Sequence, residues 1–493
     1  MKFGVFQAVF LAWPAVVAIL FRVVGPAKAV LVAVLGGFLF LPPGHDRLHL
    51  PGLAFAVDKW NMTGLGLIAG VLIFDRRSLA GARPRWVDLP MIAFILSPLT
   101  GLAVGDPGSS VAVLDLMVAR VLGWLVPYAA GRLYFGKVGG PTSIVIGVTI
   151  AGLSYVPICL YEEVVGPDRY LAGLIYGIGY NPGMVARLGG WRPEGFLGNG
   201  LSVAAWMGLS AVTATWLWLS GWKPKGRWPA WTPALVLTIT CLSCRGVYGD
   251  LLMTLGLTAA LVSRWTRSWI ILALLLVPPV LYMGLRATGA WDGQVLTTIA
   301  DKLVGRPDTV DFRLRAENEL IGRVLDRGAA FGFGDYVWNA RIAHWPDGAW
   351  LHVFWMGGLV GLTLQLVAIH AFPAVLTLAR TRVKAGRRLT PGPSWALACW
   401  CILELIDGLH NNNTFPATAL IAGSLVGFAS KRASDAGLQN LDMPAPKASQ
   451  KPYALIAAVI LLVAIESLGR WRSTDPADPG RQNPKPAPSE PRT

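Results

Sequence analysis

The stretch SWIILALLLVPPVLYMGLRA, residues 268–287, decides the fold class. It carries no charge before Arg286, and twenty residues at 1.5 Å each make a helix of about 30 Å, the thickness of a bilayer's hydrocarbon core. Pro278 and Pro279 do not argue against a span, because proline is more frequent in transmembrane helices than in soluble ones. Similar blocks recur along the chain at 3–21, 29–43, 61–74, 87–105, 111–130, 141–160 and 200–220. They continue at 229–242, 250–262, 349–372, 394–409, 415–430 and 452–468. The pattern predicts an all-α polytopic integral membrane protein of about 12 to 14 transmembrane helices. Alternating, strand-like patterning is absent, which points away from a β-barrel.

Composition agrees. Hydrophobic residues make up 54% of the 493 and charged residues only 14%, well below the quarter usual in soluble domains. The net charge of +15 would suggest nucleic acid in a soluble protein, but here the basic residues sit in short loops between apolar blocks, where they set topology. Cys159, Cys241, Cys244, Cys399 and Cys401 lie in or beside apolar blocks, as small hydrophobes do. An odd number of cysteines, with no βαβ pattern around the Cys241-x-x-Cys244 pair, argues against a disulfide framework or a redox motif. The first apolar run is too long and too weakly basic at its head for a cleaved signal, despite the Ala27-Lys28-Ala29 string, and reads as a retained span.

Basic clusters orient the chain. Arg76, Arg77, Arg83 and Arg85 form one; Lys223, Lys225 and Arg227 a second; Arg264 and Arg267 a third; Arg380, Arg382, Lys384, Arg387 and Arg388 a fourth. Placing all four on the cytoplasmic side leaves the intervening spans alternating without conflict. Segments 161–199, 243–249, 288–348 and 410–414 then face outward. Residues 1–468 read as a single transmembrane domain, and 469–493, rich in proline and charge, as a disordered polar tail. No internal repeat is visible.

The 288–348 stretch is too long for a mere connection. Ile299 to Leu303 and Phe312 to Leu325 carry apolar residues at helical spacing, so it reads as a large helical extracytoplasmic cap loop over an outward-facing cavity. Arginines gather in the outer segments: Arg192, Arg245, Arg306, Arg313 and Arg315. Arginine grips phosphate bidentately and keeps its charge, although one at a span end also snorkels to the interface with no further role. Late in the chain Glu404 and Asp407 stand three apart and lead into His410-Asn411-Asn412-Asn413, a run that could line an acceptor path. Asp115 and Arg120 are read as structural, paired with each other or with neighbouring helices.

Several strings stand in a telling order. Arg313 or Arg315 is followed by Gly332-Phe333-Gly334, by Asp347-Gly348-Ala349-Trp350-Leu351 and by Gly358-Leu359-Val360-Gly361. Earlier come Arg192-Pro193-Glu194-Gly195-Phe196-Leu197-Gly198-Asn199 and Ser243-Cys244-Arg245-Gly246. Together they resemble the signature region of the bacterial O-antigen ligase and O-antigen polymerase superfamily, over roughly 190 to 362, with hydropathy alone carrying the rest.

The resemblance implies a GT-C-like fold and an inverting, metal-independent, cofactor-free glycosyltransferase in the bacterial inner membrane, active on its extracytoplasmic face. The donor would be a glycan on polyprenyl (undecaprenyl) diphosphate, and the acceptor a glycan, lipid A core or protein. Arg245 and Arg313 or Arg315 would hold the diphosphate, with Arg192 as a third. The family's His-Asn pair is replaced by Asp347-Gly348, with His344 three residues before and His352 five after. Either Asp347 or His344 could be the base, and Asp347 could instead cap the helix beginning near Ala349. His352 reads as a packing residue. The departure favours a polymerase of extracellular polysaccharide. The competing reading is a transporter or flippase of lipid-linked or polar cargo, although transporters tend to show repeated halves.

Overall fold

A computed structural model describes residues 5–43, 57–81, 83–100, 110–177, 185–187, 190–223, 228–263, 268–298, 307–333, 347–382, 392–430, 456–457 and 460. The 469–493 tail, most of the 452–468 block, Ile299 to Leu303, Gly334, His344, Arg306 and half of the residues of the basic clusters lie outside them.

The described chain is helical, apart from a two-residue antiparallel ladder of β1 (Ala186–Arg187) and β2 (Gly190–Trp191). In order, the helices are α1 (Val5–Val23), α2 (Pro26–Phe40), α3 (Lys59–Phe74), α4 (Leu89–Leu96), α5 (Val113–Phe135), α6 (Gly140–Val165), α7 (Leu171–Tyr176) and α8 (Gly200–Leu219). Then come α9 (Thr232–Ser243), α10 (Val247–Val262), α11 (Ser268–Ala287), α12 (Pro307–Gly328), α13 (Ala349–Ala379), α14 (Pro393–Asp407) and α15 (Pro416–Ser430). Each apolar block between residues 3 and 430 contains a helix, although that of the 87–105 block covers only Leu89–Leu96 and residues 101–105 lie outside the described ones. Six of these helices, in α1, α5, α6, α8, α11 and α13, are long and apolar enough to cross a membrane. The chain is a multi-pass, all-α membrane protein.

Helix α8 is the centre of the bundle. Its membrane-length window is 89% buried, against 22% for α1 at the periphery. An apolar helix buried all round must pack against other protein on every face, and α8 does so against α6, α9, α10 and α14. Trp206 meets Trp400 edge-on at 5.6 Å, and Trp216 stacks on Trp395 at 5.6 Å. Elsewhere small residues let backbones touch: a Cβ at Gly131 of α5 would strike the carbonyl of Leu420, and one at Gly423 of α15 that of Tyr128. Arg120 is buried in α5 and donates to Phe94 O (2.8 Å) and Ser97 Oγ (2.7 Å) on the neighbouring α4 segment, a structural role.

Two features place the described parts of the 288–348 connection on the bundle. Helix α12 is amphipathic and buries Leu314, Leu320, Ile321 and Val324. It is pinned to α11 by Glu317, whose Oε2 accepts from Arg286 Nη2 (3.0 Å) and Tyr282 Oη (2.8 Å), while Arg286 Nη1 reaches Asn318 Oδ1 (2.7 Å). Further on, α13 is broken at Gly358 (φ 57°, ψ −155°), and residues 329–333 thread into the break. Leu359 N donates to Ala329 O (2.8 Å), Val360 N to Ala330 O (3.0 Å) and Phe333 N to Trp355 O (2.7 Å), so groups that the break would orphan are satisfied. Gly332 (φ 64°) and Gly358 interlock: a Cβ on Gly358 would meet Phe331 N at 2.5 Å, and one on Gly332 would meet Gly357 N at 2.8 Å. The Phe333 and Trp355 rings stack at 4.1 Å above the joint.

Candidate functional site

Described residues of the segments expected from sequence to face outward gather in two polar groups. The first forms where α12 crosses the start of α10. Arg313 Nε lies 3.2 Å from Asp347 Oδ2, and its Nη1 donates to Tyr248 Oη at 2.7 Å, with the guanidinium 5.4 Å from the Tyr248 ring centre. One turn further along α12, on the same face, Glu317 Oε1 is 3.9 Å from His410 Nδ1. The His410 ring sits between Tyr248 (6.1 Å) and Tyr282 (5.7 Å). Burial, helped by the positive charges of Arg313 and Arg286, holds the His410 imidazole down at about pKa 4. It is therefore neutral near pH 7, and its approach to Glu317 is a polar contact rather than an ion pair. Burial also pushes the Glu317 carboxyl up, against the pull of Arg286 and its Tyr282 hydrogen bond.

Only one of the two candidate α12 arginines belongs to this group. Two residues on, Arg315 has turned through two helical steps, about 200°, and its side chain is 72% exposed and paired with Asp311. Asp347 does not cap α13: Gly348 takes the N-cap position without a side-chain bond, and the Asp347 carboxylate goes to Arg313. That carboxylate is 45% exposed, so it is reachable from outside the protein. His352 is buried and lies 3.2 Å from Asn412 Nδ2, which agrees with a packing role.

Glu404 and Asp407 are 3% and 0% exposed. Asp407 accepts from Asn411 Nδ2 (2.7 Å) and Asn413 Nδ2 (2.8 Å), and Glu404 Oε1 accepts from Phe415 N (2.9 Å) at the start of α15. The two acids shape the 408–415 turn, and that turn carries His410 to Tyr248 and receives Ala349 N on Asn411 O (3.0 Å).

The second group surrounds Arg245. This residue has φ 52°, the one positive value on a non-glycine residue among those described, a conformation that costs energy and persists only where the surroundings enforce it. Its Nη1 donates to Trp191 O (2.9 Å), while Arg192 Nη2 donates to the Arg245 carbonyl (3.4 Å). Glu162, at the end of α6, holds the 190–196 segment in place by accepting from Glu194 N (2.9 Å) and Gly195 N (2.7 Å), and it also accepts from Leu171 N (3.0 Å) at the start of α7. Arg245 and Arg192 are thus fastened to one turn, and Tyr248, three residues after Arg245, reaches Arg313.

Sequence reasoning missed Tyr248, Tyr282, Arg286 and Glu317. Arg286 had a signal, as the single charge in its apolar block, and Glu317 another, four residues from Arg313 on an amphipathic helix. The tyrosines had none, because a tyrosine near a span end is ordinary in a membrane protein.

Compared with protein-family models, with curated proteins and with solved structures, the chain finds no match.

Proposed function

We propose that the protein is an inverting, metal-independent membrane glycosyltransferase that takes a glycan from a polyprenyl diphosphate on the outer face of the inner membrane and polymerises or ligates envelope polysaccharide. In this reading the helices form about 12 to 14 spans, the 288–348 connection is an extracytoplasmic cap, and the fold is GT-C-like.

The observation that carries the proposal is the junction of Arg313, Asp347 and Tyr248. It unites a cationic anchor, an accessible carboxylate and the turn that bears Arg245. The chemistry needs little more than this. The acceptor hydroxyl oxygen bonds to the anomeric carbon on the face opposite the diphosphate, and the bond from that carbon to the diphosphate oxygen breaks. The hydroxyl proton passes to Asp347, and the lipid diphosphate leaves with its charge held by Arg313, Arg245 and Arg192. Arg315 has no part in it, and His410, neutral beside Glu317, lies where an acceptor would pass.

The test is the size distribution of cell-surface polysaccharide, on a gel, from cells with wild type, Arg313→Ala, Arg245→Ala or no copy of the gene. Collapse to single repeat units supports a polymerase. Normal chain length with lost attachment to lipid A core or protein supports a ligase. Unchanged product in every strain sinks the proposal.

One observation favours a second reading, transport or flipping of lipid-linked or polar cargo: the broken helix α13, since broken helices often surround transport sites. Substrate flux in proteoliposomes, retained in Arg313→Ala, would establish it.

A further inference from the structure

Beneath the start of α13, lined by residues of α5, α11, α13, α14 and the 408–415 turn, lies a small cavity of about 30 Å³, room enough for a water-sized occupant. Its walls are mainly apolar, with Trp124, Met283 and Leu405 among them, yet Gln365, His370 and Glu404 also line it. All three are more than nine-tenths buried, at 9%, 6% and 3% exposure.

What these side chains present is one-sided. Glu404 Oε1 is used by Phe415 N, but Glu404 Oε2 has no hydrogen-bond partner among the described residues, and neither does Gln365 Oε1. His370 Nδ1 lies 2.9 Å from Cys401 O. A carbonyl can only accept, so Nδ1 carries the proton and the neutral ring keeps Nε2 as an acceptor. Three residues that each carry an unused acceptor therefore line one cavity, together with Asn413 and Thr414 of the 408–415 turn.

The helix is distorted at this place. Residues 366–371 form a π-helical turn, a distortion frequent at functional sites. Five residues apart in a regular α-helix, Gln365 and His370 would point roughly 140° away from each other; the wider turn lets both line the cavity. The other ionisable and polar groups nearby do not supply a positive charge. Asp407 stands one turn along α14, Cys401 precedes Glu404 by three residues, α15 contributes the Phe415 amide and the Thr418 hydroxyl, and no lysine or arginine is among the lining residues. A carboxylate deep in a bundle without a cationic partner is costly, and the amide dipole at the start of α15 offsets only part of that cost.

We propose that this cavity binds a small monovalent cation, a sodium ion or a hydrated proton, through Glu404 Oε2, Gln365 Oε1 and His370 Nε2. The site lies under the α13 start and the 408–415 turn, so its occupant stiffens the segment that carries Asp347 and His410. It stands whether or not the protein transfers sugars.

The test is thermal unfolding of the full chain in nanodiscs, in sodium chloride against choline chloride at matched ionic strength, at mildly acidic and mildly alkaline pH. A midpoint raised by a few degrees in sodium, with the shift lost in Glu404→Gln and reduced in Gln365→Leu, identifies a sodium site. A midpoint raised by acid regardless of sodium, and again insensitive in Glu404→Gln, identifies a proton site. A wild type indifferent to both overturns the proposal, as does a response that persists in Glu404→Gln. Should that variant fail to fold, Gln365→Leu decides in its place, because an undiminished response there places the cation elsewhere.

Discussion

Around α8, Trp206, Trp216 and Trp400 are buried to 1% exposure or less and meet one another or their neighbours through ring faces and edges. Where α12 meets α10 and α11, the contacts are instead charged and directional: Arg286 with Glu317, Arg313 with Asp347 and Tyr248. Apolar packing tolerates many substitutions of similar volume, whereas a buried charge depends on one partner at one distance. The first region makes a bundle; the second decides which side chains face one another at its polar end.

The largest effect expected at the polar end is from breaking its deepest pair. Arg286→Leu should destabilise the protein by about 3–5 kcal/mol by stranding Glu317, and the Arg286→Leu, Glu317→Leu double variant should recover much of the loss. Thermal unfolding in nanodiscs of the two single variants and the double one measures this. Additive losses would mean that the pair is not a unit.

On the proposed function, Arg313→Ala should cut glycan product by about 10²–10³-fold, the usual cost of removing one donor that stabilises a developing charge, with protein abundance unchanged. Arg315→Ala should leave product near the wild-type level. Equal losses from the two would refute the division that the geometry draws between them, and a surface-polysaccharide gel reads both.

A smaller effect follows from His410. Its pKa is about 4 in the folded protein, against 6.5 ordinarily, so the unfolded chain binds more protons between those values. The resulting stability is fully present above about pH 6.5 and is lost as pH falls through about 4. Because the His410 side chain is 29% exposed, about 3 kcal/mol is its upper bound. His410→Gln should flatten that part of the unfolding midpoint's pH dependence; an unaltered slope would show that the ring is not buried as described.

The smallest expected change is at the joint between the connection and α13. Gly358→Ala, forced to φ 57° with its Cβ against Phe331 N, should cost about 1–3 kcal/mol and show first as faster proteolysis within 329–333. An equally strong loss from Gly357→Ala, where a Cβ meets nothing nearer than 3.9 Å and helix propensity favours alanine, would mean that the left-handed backbone at Gly358 is not what sets the cost.

Much of this was legible in the chain and some was not. The blocks at 200–220 and 349–372 were visible as helices because hydropathy is a local sum. Gly332-Phe333-Gly334 and Gly358-Leu359-Val360-Gly361 stood out as separate strings, but nothing in either shows that Gly332 seats in the break at Gly358. Glu404 and Asp407 were visible as intramembrane acids, yet their work on the 408–415 turn depends on where Asn411, Asn413 and Phe415 fall. Asp347 before Ala349 looks equally like a helix cap and a base, because both need only an aspartate at a helix start.

The sequence by itself determined an all-α membrane bundle and the positions of its helices, because the requirement to satisfy backbone groups in lipid acts on each segment separately. Only the tertiary structure decided that Arg313 rather than Arg315 meets Asp347, that Glu317 pins α12 to α11, and that Gln365, His370 and Glu404 share a cavity. Those outcomes hang on the rotation of a helix about its axis and on partners tens of residues away, set by the packing of the whole bundle.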